Sequence, residues 1–151
     1  VAGGAINTPA NIKARIGTPI GDLIVECGGF RAKPAKIVVG GPMMGQTVTD
    51  LSTPVTKSTR GVLALTSREV RSAPRTACIA CGRCVEACPM GLNPSRLFKL
   101  IDHHKLHQAV EEGLFDCTEC GACGYICPAR IPLVQGMRIG KERVREAGIR
   151  E

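Results

Sequence analysis

Cys78-Ile-Ala-Cys81-Gly-Arg-Cys84-Val-Glu-Ala-Cys88-Pro89 and Cys117-Thr-Glu-Cys120-Gly-Ala-Cys123-Gly-Tyr-Ile-Cys127-Pro128 share one spacing, C-x2-C-x2-C-x3-C-P. It is the spacing of bacterial-type proteins that hold two iron–sulfur clusters. The shape of a [4Fe–4S] cube explains it. Three cysteines spaced by two residues let a curling backbone set three thiolates on three corners of one cube. The fourth, after a gap of three at the start of a helical turn, points away to the other cube, and Pro turns the chain out of the site. The crossing predicts Cys78, Cys81, Cys84 and Cys127 as ligands of a first cluster, and Cys88, Cys117, Cys120 and Cys123 as ligands of a second. Structural zinc is the competing reading, but it uses paired C-x2-C units rather than two identical four-cysteine runs each ending in Pro. Nor do the cysteines form a disulfide framework: eight of the nine lie between Cys78 and Cys127, and Cys27 stands alone.

Residues around the runs predict the rest of this domain. Gly82, Gly121 and Gly124 leave room for backbone N–H groups to approach the sulfurs, which raises reduction potential. Ile79, Val85, Met90, Leu92, Ile126 and Ile131 are expected to exclude water around the cubes, although such residues are equally ordinary core. The 28 residues between Cys88 and Cys117 accommodate two helices. Pro94–Asp102 places Leu97, Leu100 and Ile101 on one face, and His104–Glu112 continues with Leu106 and Val110. A third helix, Pro132–Ala147, opens with Pro in its first turn and carries Leu133, Met137 and Val144. Lys141, Arg143 and Arg145, interleaved with Glu142 and Glu146, read as its solvated face. An α-helical domain with two [4Fe–4S] clusters, of ferredoxin type, is therefore expected over 77–151.

Upstream the grammar changes. Residues 1–70 read as short strands and turns on one helix. Val1–Ile6 and Asn11–Ile16 are expected strands, as are Lys36–Val39 and Gly61–Leu65. Thr18 is the expected cap of a short helix, with Pro19 at its first position and Asp22 in its first turn. Ile20, Leu23, Ile24 and Cys27 fall at helical spacing, so Cys27 reads as core, and Gly28-Gly29 ends the helix. Together these make a small β-grasp domain, joined through a polar linker at 71–76. The fold class is α+β.

Composition narrows the function. With three Phe, one Tyr and no Trp, any core is aliphatic and modest. The formal charge of +7 falls to about +3 once two clusters, each carrying two net negative charges with its thiolates, are counted. That mild basicity, without aromatic platforms, suits docking on an acidic protein and excludes nucleic acid. No stretch reads as a secretory signal or a membrane span, so a soluble chain in a reducing compartment is expected. The first residue is Val1, which suggests a fragment or a processed chain.

Other motifs carry no chemistry. In Gly40-Gly41-Pro42-Met43-Met44-Gly45, Pro42 stands where G-x-G-x-x-G needs its second Gly, so this is a loop after a strand. Met43 and Met44 read as packing against a neighbouring domain. His103, His104 and His107 have no further ligand type beside them. Catalytic triads, paired carboxylates and nucleotide fingerprints are not visible.

The spelling of several segments resembles one family. Gly-Thr-Pro at 17–19, Gly-Gly-Pro-Met-Met-Gly at 40–45 and Pro-Val-Thr-Lys at 54–57 resemble the soluble-ligand-binding β-grasp (SLBB) domain of the C subunit of the Rnf complex. Cys-Pro-Met-Gly-Leu-Asn-Pro at 88–94, Cys-Thr-Glu-Cys-Gly-Ala-Cys at 117–123 and Ile-Pro-Leu-Val-Gln at 131–135 resemble its ferredoxin part. The resemblance implies an electron-transfer module in a ferredoxin:NAD+ oxidoreductase that pumps Na+ or H+. It implies a peripheral place on the cytoplasmic face of a bacterial or archaeal membrane, beside a polyferredoxin subunit, integral membrane subunits and a ferredoxin-type redox partner. The eight cysteines match the family's cluster ligands. The family's FMN- and NADH-binding domain precedes the β-grasp unit, and nothing in this chain corresponds to it. The chain alone is thus expected to relay electrons without oxidising NADH. A corrin (cobalamin) reductase of the propanediol-utilisation type resembles the same architecture, but its motifs lack the Met-Gly-Leu-Asn-Pro continuation. In a third reading the clusters merely hold the fold together.

Overall fold

The computed structural model describes residues 1–70 and 73–149 and divides into two compact units, Val1–Ala73 and Pro74–Glu151. Arg71 and Ser72 of the expected linker, and Arg150 and Glu151 at the end of the expected second domain, lie outside the described residues. The fold is α+β.

In the first unit a three-stranded antiparallel sheet takes the order β2-β1-β3, from β1 (Lys36–Val39), β2 (Gln46–Val48) and β3 (Val62–Leu65). Val38 faces Thr47 on one side and Leu63 on the other. The β2 strand went unread in the sequence, although Thr47, Val48 and Thr49 are β-branched and follow a glycine loop. Gly40–Gly45 is the hairpin loop: a Cβ on Gly45 would lie 2.6 Å from the Gly41 carbonyl oxygen.

Two expected strands are corrected. Val1–Ile6 runs beside β3, with Ala2 N–H donating to Val62 O and Ala5 N–H to Ala64 O, but a turn at Gly3-Gly4 breaks it. Gly3 has φ of 112°, and a Cβ there would strike the Ala64 backbone, so the segment turns where a strand would continue. Asn11–Ile16 packs Ile12 and Ala14 against the core without joining the sheet. Half-buried Ile12 and Ala14 alternate with exposed Asn11, Lys13 and Arg15, yet the backbone is in none of the sheet's strands.

Helix α1 (Ile20–Glu26) starts one residue later than expected, with Pro19 as its cap residue and no side-chain cap. Thr18 is not needed. The Ile20 and Gly21 N–H groups donate to Thr53 O and Leu51 O at 2.9 and 3.0 Å, so a neighbouring loop satisfies the helix start. At the other end Gly28 and Gly29 are left-handed, and Gly29 N–H returns to Ile24 O. The core beneath joins Ile20, Leu23, Ile24 and Cys27 to Ala5, Ile6, Val55, Val62 and Ala64.

The second unit is helical: α2 (Arg83–Glu86), α3 (Pro94–Asp102), α4 (Leu106–Glu111), a 3₁₀ turn (Leu114–Asp116), α5 (Ala122–Ile126) and α6 (Leu133–Glu146). Asn93 caps α3 by accepting from Arg96 N–H at 3.1 Å, with Pro94 in the first turn. The main core pairs Leu97, Leu100 and Ile101 of α3 with Met137 and Val144 of α6, and with Ala109 and Leu114. Gly136 and Gly140 let α3 and α6 approach, because a Cβ at either would strike Phe98 or Ile101. Arg75 lies 5.1 Å over the Phe98 ring and Thr76 N–H donates to Ala129 O, which ties the entering segment to this unit.

Candidate metal centre

Each cysteine run is shaped by left-handed residues at matching places. Ala80 and Glu119, at φ of 53° and 57°, precede the second cysteine, and Gly82 and Gly121, at 75° and 87°, follow it. Two such residues in close succession curl the backbone back toward one point, and the glycines do so without a Cβ penalty. The short helices α2 and α5 then carry the third cysteine of each run. They pack against one another, and the fourth cysteine comes after each.

The result is two cavities. Cys78, Cys81, Cys84 and Cys127 line the first, together with Ile79, Val85, Ile131 and Leu133. Cys88, Cys117, Cys120 and Cys123 line the second, with Leu92, Leu97, Val134 and Met137. Among the described residues no three His, Cys, Asp or Glu side chains are grouped as ligands of a single ion. The thiols are instead distributed round the cavity walls. Four soft donors per cavity, in walls that are mostly apolar apart from Asn93 and Ser95 in the first and Thr118 and Glu119 in the second, fit an iron–sulfur cube.

Burial pushes the Cys123 thiol up to about 11; the Gly124 N–H opposes this, while Cys117, Cys120 and Cys88 add to it. Binding of iron would displace the proton, since a coordinating thiol is held deprotonated.

The apolar screen differs from expectation. Ile79 is 67% exposed, and Val85, Met90 and Ile126 are exposed as well, while Ile131 is buried. Ile79 and Val85 still line the first cavity and Met90 the second, but they do so while remaining exposed. Leu97, Leu133, Val134 and Met137, from the facing stripes of α3 and α6, supply the buried walls instead.

A second correction concerns α6. Lys141, expected on its solvated face, is 8% exposed. It lies four residues after Met137 and three before Val144, which places it on the apolar stripe; that spacing was the overlooked signal. Its Nζ donates to Cys117 O at 2.6 Å and to Glu119 Oε1 at 3.1 Å, and Arg138 Nε donates to Glu119 Oε2 at 2.9 Å. Burial opposes ionisation of Glu119, but the hydrogen bonds and charges of Arg138 and Lys141 prevail and hold its carboxyl below the usual range. No sequence motif had singled out Glu119.

Comparison with known families agrees with this architecture. Residues 1–47 match the SLBB domain family and residues 68–131 the 4Fe-4S dicluster domain family, which defines a two-domain iron–sulfur protein. The chain is 48% identical, over its whole length, to the C subunit of the proton-translocating ferredoxin:NAD(+) oxidoreductase complex of Clostridium ljungdahlii, covering 33% of that protein. It is 44% identical over 97% of its length to the C subunit of the ion-translocating oxidoreductase complex of Rhodobacter capsulatus, covering 28% of it. The C subunit of the Na(+)-translocating ferredoxin:NAD(+) oxidoreductase complex of Acetobacterium woodii is 42% identical over 94% of the chain, which covers 32% of that relative. Over nearly its whole length the chain is thus similar to C subunits of the Rnf type, and it spans about a third of the length of these relatives.

Proposed function

We propose that this chain is an electron relay within the peripheral subunit of an Rnf-type ferredoxin:NAD+ oxidoreductase, holding two [4Fe–4S] clusters on crossed ligand sets. The observation that carries it is the lining of the cavities, where three cysteines of one run meet the fourth of the other. Cys78, Cys81, Cys84 and Cys127 hold the first cluster, and Cys88, Cys117, Cys120 and Cys123 the second. When bound, each supplies one-electron chemistry. The chain's own part is to hold the two sites side by side through α2 and α5, to keep water from the inner walls, and to leave Cys78 and Cys81 exposed toward a partner.

A hydride donor gives two electrons together, so a flavin must stand between NADH and a one-electron relay. By resemblance that flavin, FMN, and the NADH site belong to a domain preceding the β-grasp unit in the full subunit. Among the described residues no helix is long and apolar enough to cross a membrane. That accords with a peripheral place on the cytoplasmic face, against the polyferredoxin and integral membrane subunits, with a ferredoxin-type partner.

The chain, reconstituted anaerobically, should bleach on adding dithionite and stay oxidised with NADH alone. NADH-dependent bleaching should appear when the flavin-bearing domain of a relative is joined to it. Rapid bleaching by NADH without flavin would refute the relay reading.

A further inference from the structure

Lys141 is the buried charged residue among the described residues, and a buried ammonium is costly unless paired. Its pairing is unusual in target: the ammonium holds the backbone carbonyl of Cys117 and the carboxylate of Glu119, two residues later. Arg138, nearly one turn earlier on α6, takes the other carboxylate oxygen. Glu119 lies in the wall of the second cavity, between the cysteines at 117 and 120.

A purely conformational role does not account for this. Ala80 occupies the equivalent place in the first run and adopts the same left-handed backbone, φ of 53° against 57°, with a methyl side chain. The turn therefore forms without the charges. Counting the same 39-residue offset between the runs, the residue equivalent to Lys141 is Asp102, an acid in place of the cation. The three groups carry one net positive charge, from two cations and one anion, beside the second cavity.

We propose that Lys141, Glu119 and Arg138 set the reduction potential of the cluster held by Cys88, Cys117, Cys120 and Cys123, with Lys141 acting as a positioning residue on the Cys117 carbonyl. The proposal rests on the ligand assignment above. Reduction adds one negative charge to the site. A net positive charge held in a partly water-excluded wall favours the reduced form, and is weakly screened there. Removing the cation must lower the potential; removing the anion must raise it. A scaffold whose only duty is to hold the loop has no reason to give opposite signs.

The test is an EPR-monitored redox titration, at fixed pH, of the reconstituted 151-residue chain and three variants. Cys88→Ala and Cys127→Ala samples identify which signal belongs to which site. Lys141→Met is expected to lower the potential of the second cluster. The expected size is about a tenfold change in the reduced-to-oxidised ratio, about 59 mV for a one-electron couple. Glu119→Gln should raise it, Lys141→Arg should stay near the parent, and the first cluster should not move. Should Lys141→Met lose its iron, Glu119→Gln decides alone, because it keeps the side-chain shape. Shifts of one sign in both variants, or intact clusters with no shift, overturn the proposal. A shift in the cluster that Cys127→Ala removes also overturns it, and shows that the ligand assignment is what failed.

Discussion

Cys84 and Cys123 hold the same place in their runs, yet Cys123 is buried and Cys84 is half-buried. Cys78 and Cys81 are exposed where Cys117 and Cys120 are half-buried. The difference comes from how helix α6 lies against the two sites. It lays Val134 and Met137 against the second cavity, whereas it reaches the first only with Leu133, at its start. Ligand spacing thus decides which thiols meet, and α6 decides how much water reaches them. With clusters bound as proposed, the charge gained on reduction would be solvated largely by water at the first site. At the second, Lys141 and Arg138 take over that task.

The widest test of this contrast removes one crossed ligand at a time. Cys88→Ala should cost the second cluster and Cys127→Ala the first, each taking about four irons from a total of about eight. Iron analysis with EPR distinguishes the two losses. If Cys88→Ala and Cys78→Ala disturbed the same signal, each run would be self-contained and the two-cavity reading wrong.

A smaller effect is expected where α6 is held against α3. A Cβ on Gly140 would stand 2.5 Å from Ile101 Cδ1, and one on Gly136 would strike the Phe98 ring. Gly136→Val should therefore destabilise the second unit by about 1–3 kcal/mol, the range for overpacking a close contact. Gly41→Ala, with nothing within 4 Å of its added carbon, should change stability by less than about 0.5 kcal/mol. Chemical denaturation of the reconstituted chain checks both. Because α6 covers the second cavity, its cluster should be the first lost to oxygen in Gly136→Val; earlier loss of the other would contradict the account of what shields it.

These contacts also mark where the sequence was legible. Pro94–Asp102 was read to its ends from the helical spacing of Leu97, Leu100 and Ile101, and the structure adds Asn93 as its cap. Lys36–Val39 was as plain, being β-branched and bounded. Val1–Ile6 misled because apolar content says nothing of the close approach of Gly3 to Ala64, a tertiary fact. Thr18 misled because the orphan N–H groups of α1 found carbonyls at Leu51 and Thr53, far along the chain. At the site, the eight cysteines were visible through their spacing, while Lys141 was assigned by its charge when its position on the stripe should have decided. Glu119 could be recognised only in three dimensions, since its importance lies in the partners that α6 brings to it.

The finest distinction is whether burial or charge sets the two sites apart, and Ala80→Glu addresses it. The substitution writes the carboxylate of Glu119 into the equivalent place of the first run. Ala80 already has the left-handed backbone that Glu119 adopts, so the turn should accept the change with little added strain. The residue equivalent to Lys141 is Asp102, an acid in place of the cation. Ala80 is exposed, beside the exposed Cys78 and Cys81, so water and salt would screen the added charge. The expected outcome is a slight fall in the potential of the first cluster, clearly smaller than the rise produced by Glu119→Gln at the second. The fall should shrink further as salt is raised, while the Glu119→Gln shift holds. An equal and salt-resistant fall would mean that the first site is as well shielded as the second, and the contrast between them would have to be sought in charge alone.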